Sequence, residues 1–169
     1  MDNLKQQTKH TLELLPKIAR NLRIAPLIDE VKPGLTTSQL IILLILNDTK
    51  GVPLPVGKLA QELAVSFPAV SGIVDRLHKE KLIERSHSKQ DRRLVLVKLT
   101  GTGEEMVKKL LKTFEDLLSN VLKKMSESER QTIVKAVERV SEFSITLSKN
   151  AHNDKNIPLP ETVTVLKKV

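Results

Sequence analysis

Residues 66–103 read SFPAVSGIVDRLHKEKLIERSHSKQDRRLVLVKLTGTG, and the fold turns on how this stretch is parsed. Val70, Ile73, Val74 and Leu77 recur at helical spacing, which predicts a helix over 67–81 with one apolar stripe. Ser66 suits its N-cap, and Pro68 falls in the first turn, where a missing N–H costs little. Ser71, Asp75, Arg76 and Lys79 are left to the remaining surface. Strands follow over 82–87 and 94–99, the second apolar and β-branched, with Ser88 to Asp91 as the turn. Thr100 can cap the next helix, and Thr102 with Glu105 offers a second capping box. Just upstream, 56–64 (VGKLAQELA) reads as a short amphipathic helix with Leu59, Ala60 and Leu63 inward. Two short helices across a tight turn, the second with a polar outer face, form a helix-turn-helix pattern.

Further upstream, Thr36 and Gln39 have capping-box spacing. The helix they open, over 37–47, is apolar nearly all round and is predicted to be central in the core. Val52-Pro53-Leu54-Pro55 allows a short edge strand or an extended linker, because proline removes ladder donors. Residues 4–31 are helical in pattern, interrupted by Pro16 and Pro26, so a kink or two shorter helices is expected. Pro33-Gly34 closes that segment. The clearest periodicity covers 103–125, with Val107, Leu110, Leu111, Phe114, Leu117, Leu118, Val121, Leu122 and Met125. Ser126 to Glu129 is another capping box, opening a helix to about 148 with Ile133, Val137, Val140, Phe143 and Leu147 inward. From Lys149 the chain, with Pro158 and Pro160, reads as an extended or disordered tail.

Lys plus Arg number 28 against 20 acidic residues, a net charge of +8. That surplus favours a polyanionic partner, nucleic acid or an acidic surface. Aromatic residues are only 2% of the chain, with no Tyr or Trp, which argues against a stacking platform for single strands. There is no cysteine, so disulfides, thiolate metal sites and thiol redox sensing are excluded, as fits a reducing cytoplasm. The N-terminus lacks the apolar core of a signal peptide. The longest apolar run, LIILLIL at 40–46, is too short to span a bilayer, so no membrane partner is expected. His10, His78, His87 and His152 form no i, i+4 pair, and no zinc site or other cofactor is expected. Neither a nucleophile–base pair nor a phosphate loop is apparent, so the chain is not expected to be an enzyme.

A helix of this length fits the major groove of double-stranded DNA, about 12 Å wide. Its first turns offer Ser66, Phe67, Pro68, Ala69, Ser71 and Gly72 to base edges, with Arg76 placed for phosphate or guanine. Ala69 and Phe67 suit thymine methyl groups. The hairpin tip carries Lys89, Arg92 and Arg93 toward a neighbouring minor groove or its phosphates. Asp91 is out of place as a DNA contact, and the expectation is that it pairs with and orients an arginine. A polar helix face or a charged hairpin tip is by itself often only solvated. Their direct succession here favours a site.

These motifs resemble the MarR family of bacterial and archaeal transcriptional regulators. The family's wing pattern, D-x-R, a strand and L-T-x-x-G, corresponds to Asp91, Arg93, Leu99, Thr100 and Gly103. Val74 to Leu77, Leu82 to Arg85, and Leu35, Thr36 and Gln39 carry further likeness, which spans about 10–148. At Gly72 the chain departs from the many members with a basic residue there, which implies fewer or different base contacts.

The resemblance implies a mainly α fold with a small two- to three-stranded antiparallel wing, a winged helix-turn-helix domain plus a helical dimerisation domain. Residues 1–34 would be N-terminal dimerisation helices, 35–100 the DNA-binding domain, 101–148 C-terminal dimerisation helices and 149–169 the tail. It further implies a homodimer, probing a pseudo-palindromic site with recognition helices about 34 Å apart. The expected function is a dimeric repressor. The alternative is an architectural DNA-binding or protein-interaction module without sequence preference. Family resemblance also implies a small anionic or aromatic effector, with Leu22, Leu40, Leu43, Leu44 and Leu110 as lining and Arg20 and Arg23 as anion partners.

Overall fold

The computed structural model describes the backbone of residues 2–153 and the side chains of 3–144. The elements are α1 (Asp2–Asn21), α2 (Ile24–Val31), α3 (Thr37–Asp48), β1 (Leu54–Pro55), α4 (Val56–Glu62), α5 (Phe67–Lys79), β2 (Ile83–His87), β3 (Val95–Leu99), α6 (Gly101–Leu122) and α7 (Glu127–Asn153). Two compact units divide the chain, residues 1–118 and 119–169.

The core of the first unit is where α3, α4, α5, the small sheet and the start of α6 meet. Ile42, Leu43, Leu46, Leu59, Val70, Val74, Leu77, Ile83, Val97 and Val107 are fully buried there. Ile73 and Leu63, expected inward, are half-buried against that cluster. The sheet order is β1-β3-β2, all antiparallel, with Arg85 opposite Val97 and His87 opposite Val95. β1 is only two residues long, paired to Val97 and Leu96, as prolines on either side of Leu54 require.

Local signals in the sequence act as their chemistry predicts. The Thr36 hydroxyl accepts from Gln39 N–H at 3.3 Å while Gln39 Oε1 accepts from Thr36 N–H at 2.9 Å. Ser126 and Glu129 make the same reciprocal pair at 3.3 and 2.8 Å. Of the two candidate caps of α6, Thr100 is used: its hydroxyl accepts from Gly103 N–H at 3.1 Å and donates to the Lys81 carbonyl at 2.6 Å.

The first segment does divide into two helices, but not at a proline. Pro16 lies inside α1, and Pro26 is the third residue of α2, where an N–H would have no partner within the helix. The break falls at Arg23, whose φ of 53° is left-handed. The inward face expected for α7 is also corrected. Val137, Val140 and Phe143 are 58–68% exposed, and only Ile133 of that set is half-buried. Leu147 lies outside the described side chains. α7 runs to Asn153, past the expected end near 148, and the rest of the tail lies outside the described residues. Leu111 and Leu118 of α6 and Leu4, Leu12, Leu15 and Ile18 of α1 are likewise exposed.

Gly103 is fixed by close approach. A Cβ there would overlap the Leu82 carbonyl oxygen, whereas one at Gly101 would meet nothing within 4 Å. Gly103→Ala is therefore expected to destabilise the fold by about 1–3 kcal/mol and Gly101→Ala to be close to neutral, as read from denaturant unfolding midpoints.

Candidate nucleic-acid interface

α5 is glued to the core by Val70, Val74 and Leu77, at i, i+4 and i+7. That stripe turns Pro68, Gly72 and Arg76, again four apart, to the outside, where all three are exposed. Phe67 is 54% exposed, and Ser66 and Ala69 are exposed while Ser71 is half-buried. Ser66 occupies the N-cap position with extended dihedrals, yet its hydroxyl makes no capping bond. That differs from the sequence expectation and leaves the start of α5 with no side-chain acceptor, a surface suited to an anion. Arg76 has no ion-pair partner among the described residues.

The wing tip is held by main-chain bonds. Ser88 N–H donates to Leu94 O at 3.1 Å and Leu94 N–H to Asp91 O at 2.9 Å. The Ser88 hydroxyl accepts from Gln90 and Asp91 N–H at 3.2 and 3.3 Å, and His87 Nδ1 bonds the Arg92 carbonyl at 3.0 Å. Asp91 Oδ1 accepts from the Arg93 main-chain N–H at 2.9 Å. Asp91 thus orders the arginine's backbone, and no guanidinium pairs with it among the described residues. Lys89, Arg92 and Arg93 are exposed, and Lys89 and Arg92 join His87 and Ser88 around a cleft of about 560 Å³.

A link between α5 and β2 was not read from the sequence. Arg85 Nη1 sits 2.6 Å from Asp75 Oδ1, while Arg85 Nε and Nη2 are buried without a hydrogen-bond partner among the described residues. The available signal was an arginine in a strand next to apolar residues, which buries its stem and needs an acid nearby. On the strand pair itself Lys98 faces Glu84, their side chains 2.8 Å apart. The Glu84 hydrogen bond, then its charge, raises the Lys98 pKa above the usual lysine value.

The proposed effector residues are not gathered together. Leu40 lines a cleft of about 500 Å³ with Pro26, Ile28, Asp29 and Leu35, but Leu22, Leu44, Arg20 and Arg23 do not line it. Leu22 and Leu44 are half-buried, Arg20 and Arg23 are exposed, and Leu43 and Leu110 are core. A cleft of about 590 Å³ involves Leu46, Leu99, Leu111, Lys50, Lys108 and Lys112 instead. Among the described residues no cluster of three or more His, Asp or Glu forms a metal site. No described helix is long and apolar enough to cross a membrane.

Residues 34–94 match the model of the MarR family. A curated relative from Bacillus subtilis, the uncharacterized HTH-type transcriptional regulator YfiV, is 25% identical over 138 residues, which is 82% of this chain and 85% of that protein. The HTH-type transcriptional repressor MdtR from the same organism is 32% identical over 98 residues, 58% of this chain and 62% of its own length. Among solved structures, Streptococcus pneumoniae FabT in complex with DNA has the same fold, with a TM-score of 0.68 and 21% identity over 83% of this chain and 99% of that one.

Asp75→Ala would leave the half-buried Arg85 guanidinium without its carboxylate. Because Asp75 is itself half exposed, the expected loss is about 1–2 kcal/mol rather than the larger cost of a fully buried pair. Thermal unfolding should show Asp75→Ala with Arg85→Leu to be more stable than Asp75→Ala alone.

Proposed function

The chain belongs to the MarR family of transcriptional regulators, and from that premise we propose that it is a dimeric, sequence-specific repressor. It is a DNA-binding regulator, not an enzyme. In the proposed arrangement Ser66, Phe67, Pro68, Ala69, Ser71, Gly72 and Arg76 of α5 enter the major groove. Lys89, Arg92 and Arg93 reach an adjacent minor groove or its phosphates, and Asp91 holds the wing tip in shape. One observation carries this reading: exposed cations on one helix and on the neighbouring hairpin tip have no acid partner within the described chain. Charges held free in this way attract a polyanion and displace its counterions.

The homodimer is supported by the apolar faces of α1, α6 and α7. Leu12, Leu15, Ile18, Leu118, Val137, Val140 and Phe143 are exposed in the single chain, more apolar side chains at helical spacing than a monomer usually shows to water. Residues 1–34 and 101–148 would supply this interface and 35–100 the DNA-binding domain. Two such domains fit a pseudo-palindrome with half-sites about one helical turn apart. Relief of repression by a small anionic or aromatic effector, and a cytoplasmic location, complete the proposal.

Selection from random DNA followed by titration tests it. The selected site should bind at least about 10³-fold more tightly than random duplex at the same salt. Arg92→Ala and Arg93→Ala should each weaken binding to all sequences and make the dependence of log K on log salt shallower by about 1. Equal affinity for selected and random DNA would favour an architectural role.

A further inference from the structure

Among the described residues, no packing contact requires a glycine at position 72. Gly72 sits in the middle of α5 without a positive φ, and a Cβ built on it meets nothing within 4 Å. A helix-interior glycine is less stable than alanine, so the fold alone would favour alanine. Its neighbours on the outer face are equally short. Pro68, one turn before it, has neither a donor side chain nor an N–H, and Ala69 adds only a methyl group. Phe67, 54% exposed, places an aromatic ring beside them. The nearest long polar side chains come later in the helix, and of these Asp75 is tied to Arg85 at 2.6 Å. Ahead of Asp75, the only side-chain hydrogen-bonding groups on α5 and its cap are the two serine hydroxyls of Ser66 and Ser71.

We propose that α5 reads its half-site mainly by close apolar contact with thymine methyl groups, and that Gly72 is the residue that lets the helix backbone come close enough to make that contact. The C5-methyl of thymine is the one apolar feature a base pair shows in the major groove. A face of Phe67, Pro68 and Ala69 matches it, whereas it offers nothing to the donor and acceptor pattern of guanine or cytosine. Arg76 then serves phosphate or one guanine at the edge of the site. This rests on the reading of α5 as the recognition helix.

The test replaces thymine by deoxyuridine, one position at a time, in the half-site obtained by selection. That change removes a methyl group and leaves charge and base pairing untouched. Wild type should lose about four-fold in affinity for each contacted methyl. Phe67→Ala should lower the thymine-to-uracil ratio toward one at a single position. Gly72→Ala should lose ten-fold or more in affinity for the selected site, with a melting temperature unchanged or raised by about 2–4 °C. Tight, selective binding that is indifferent to uracil, or selected half-sites without thymine, or full affinity in Gly72→Ala, would overturn the inference while leaving the regulator reading intact. Absence of any sequence preference in wild type would overturn both.

Discussion

Val70, Val74 and Leu77 bind α5 to the core along one stripe, and the arrangement of the candidate interface follows from it. All three are at most 1% exposed. Burying them contributes several kcal/mol by area, far more than any surface ion pair near the site. Because the stripe occupies one side of the helix, Pro68, Gly72 and Arg76 are forced to the other. The same stripe packs in the cluster that contains Ile83, Val97 and Leu99, so the helix and the wing share one rigid foundation. Asp75 and Arg85 add a polar tie across that junction, which sets the helix in register with β2.

Beyond the wing, Thr100 makes the connection. Its N–H donates to Leu82 O at 3.1 Å and its hydroxyl to Lys81 O, while it also caps α6 through Gly103. Gly103 lies against the Leu82 carbonyl. The segment that ends α5 and begins β2 is thereby joined to the first turn of α6. A movement of α6 that displaced this turn would act directly on the base of the wing.

Most of the winged domain was legible in the sequence because its signals are local. Capping boxes at Thr36 and Ser126 name their own geometry, and the apolar period of α5 gives both its extent and its buried face. The break before α2 was harder to see. Proline looks like the natural interruption, but Pro26 falls where a helix tolerates it, and Arg23 takes the left-handed conformation that no composition rule assigns to arginine. The inward face read on α7 failed for a different reason. Periodicity shows that a face is apolar, not that the same chain covers it, and Val137, Val140 and Phe143 stay exposed. Arg85 in an apolar strand signalled the need for an acid, but nothing local named Asp75, ten residues away on a different element. Asp91 was singled out, but its partner is a main-chain amide, which no residue pattern reveals.

Hydroxyl-radical footprinting on the selected site shows whether helix and wing of two copies grip neighbouring grooves of one duplex, as proposed. Two equivalent blocks of protection related by a dyad about one helical turn apart are expected, each flanked by protection across the adjoining minor groove that disappears in Arg92→Ala with Arg93→Ala. A single block, or uniform protection without a dyad, would contradict it.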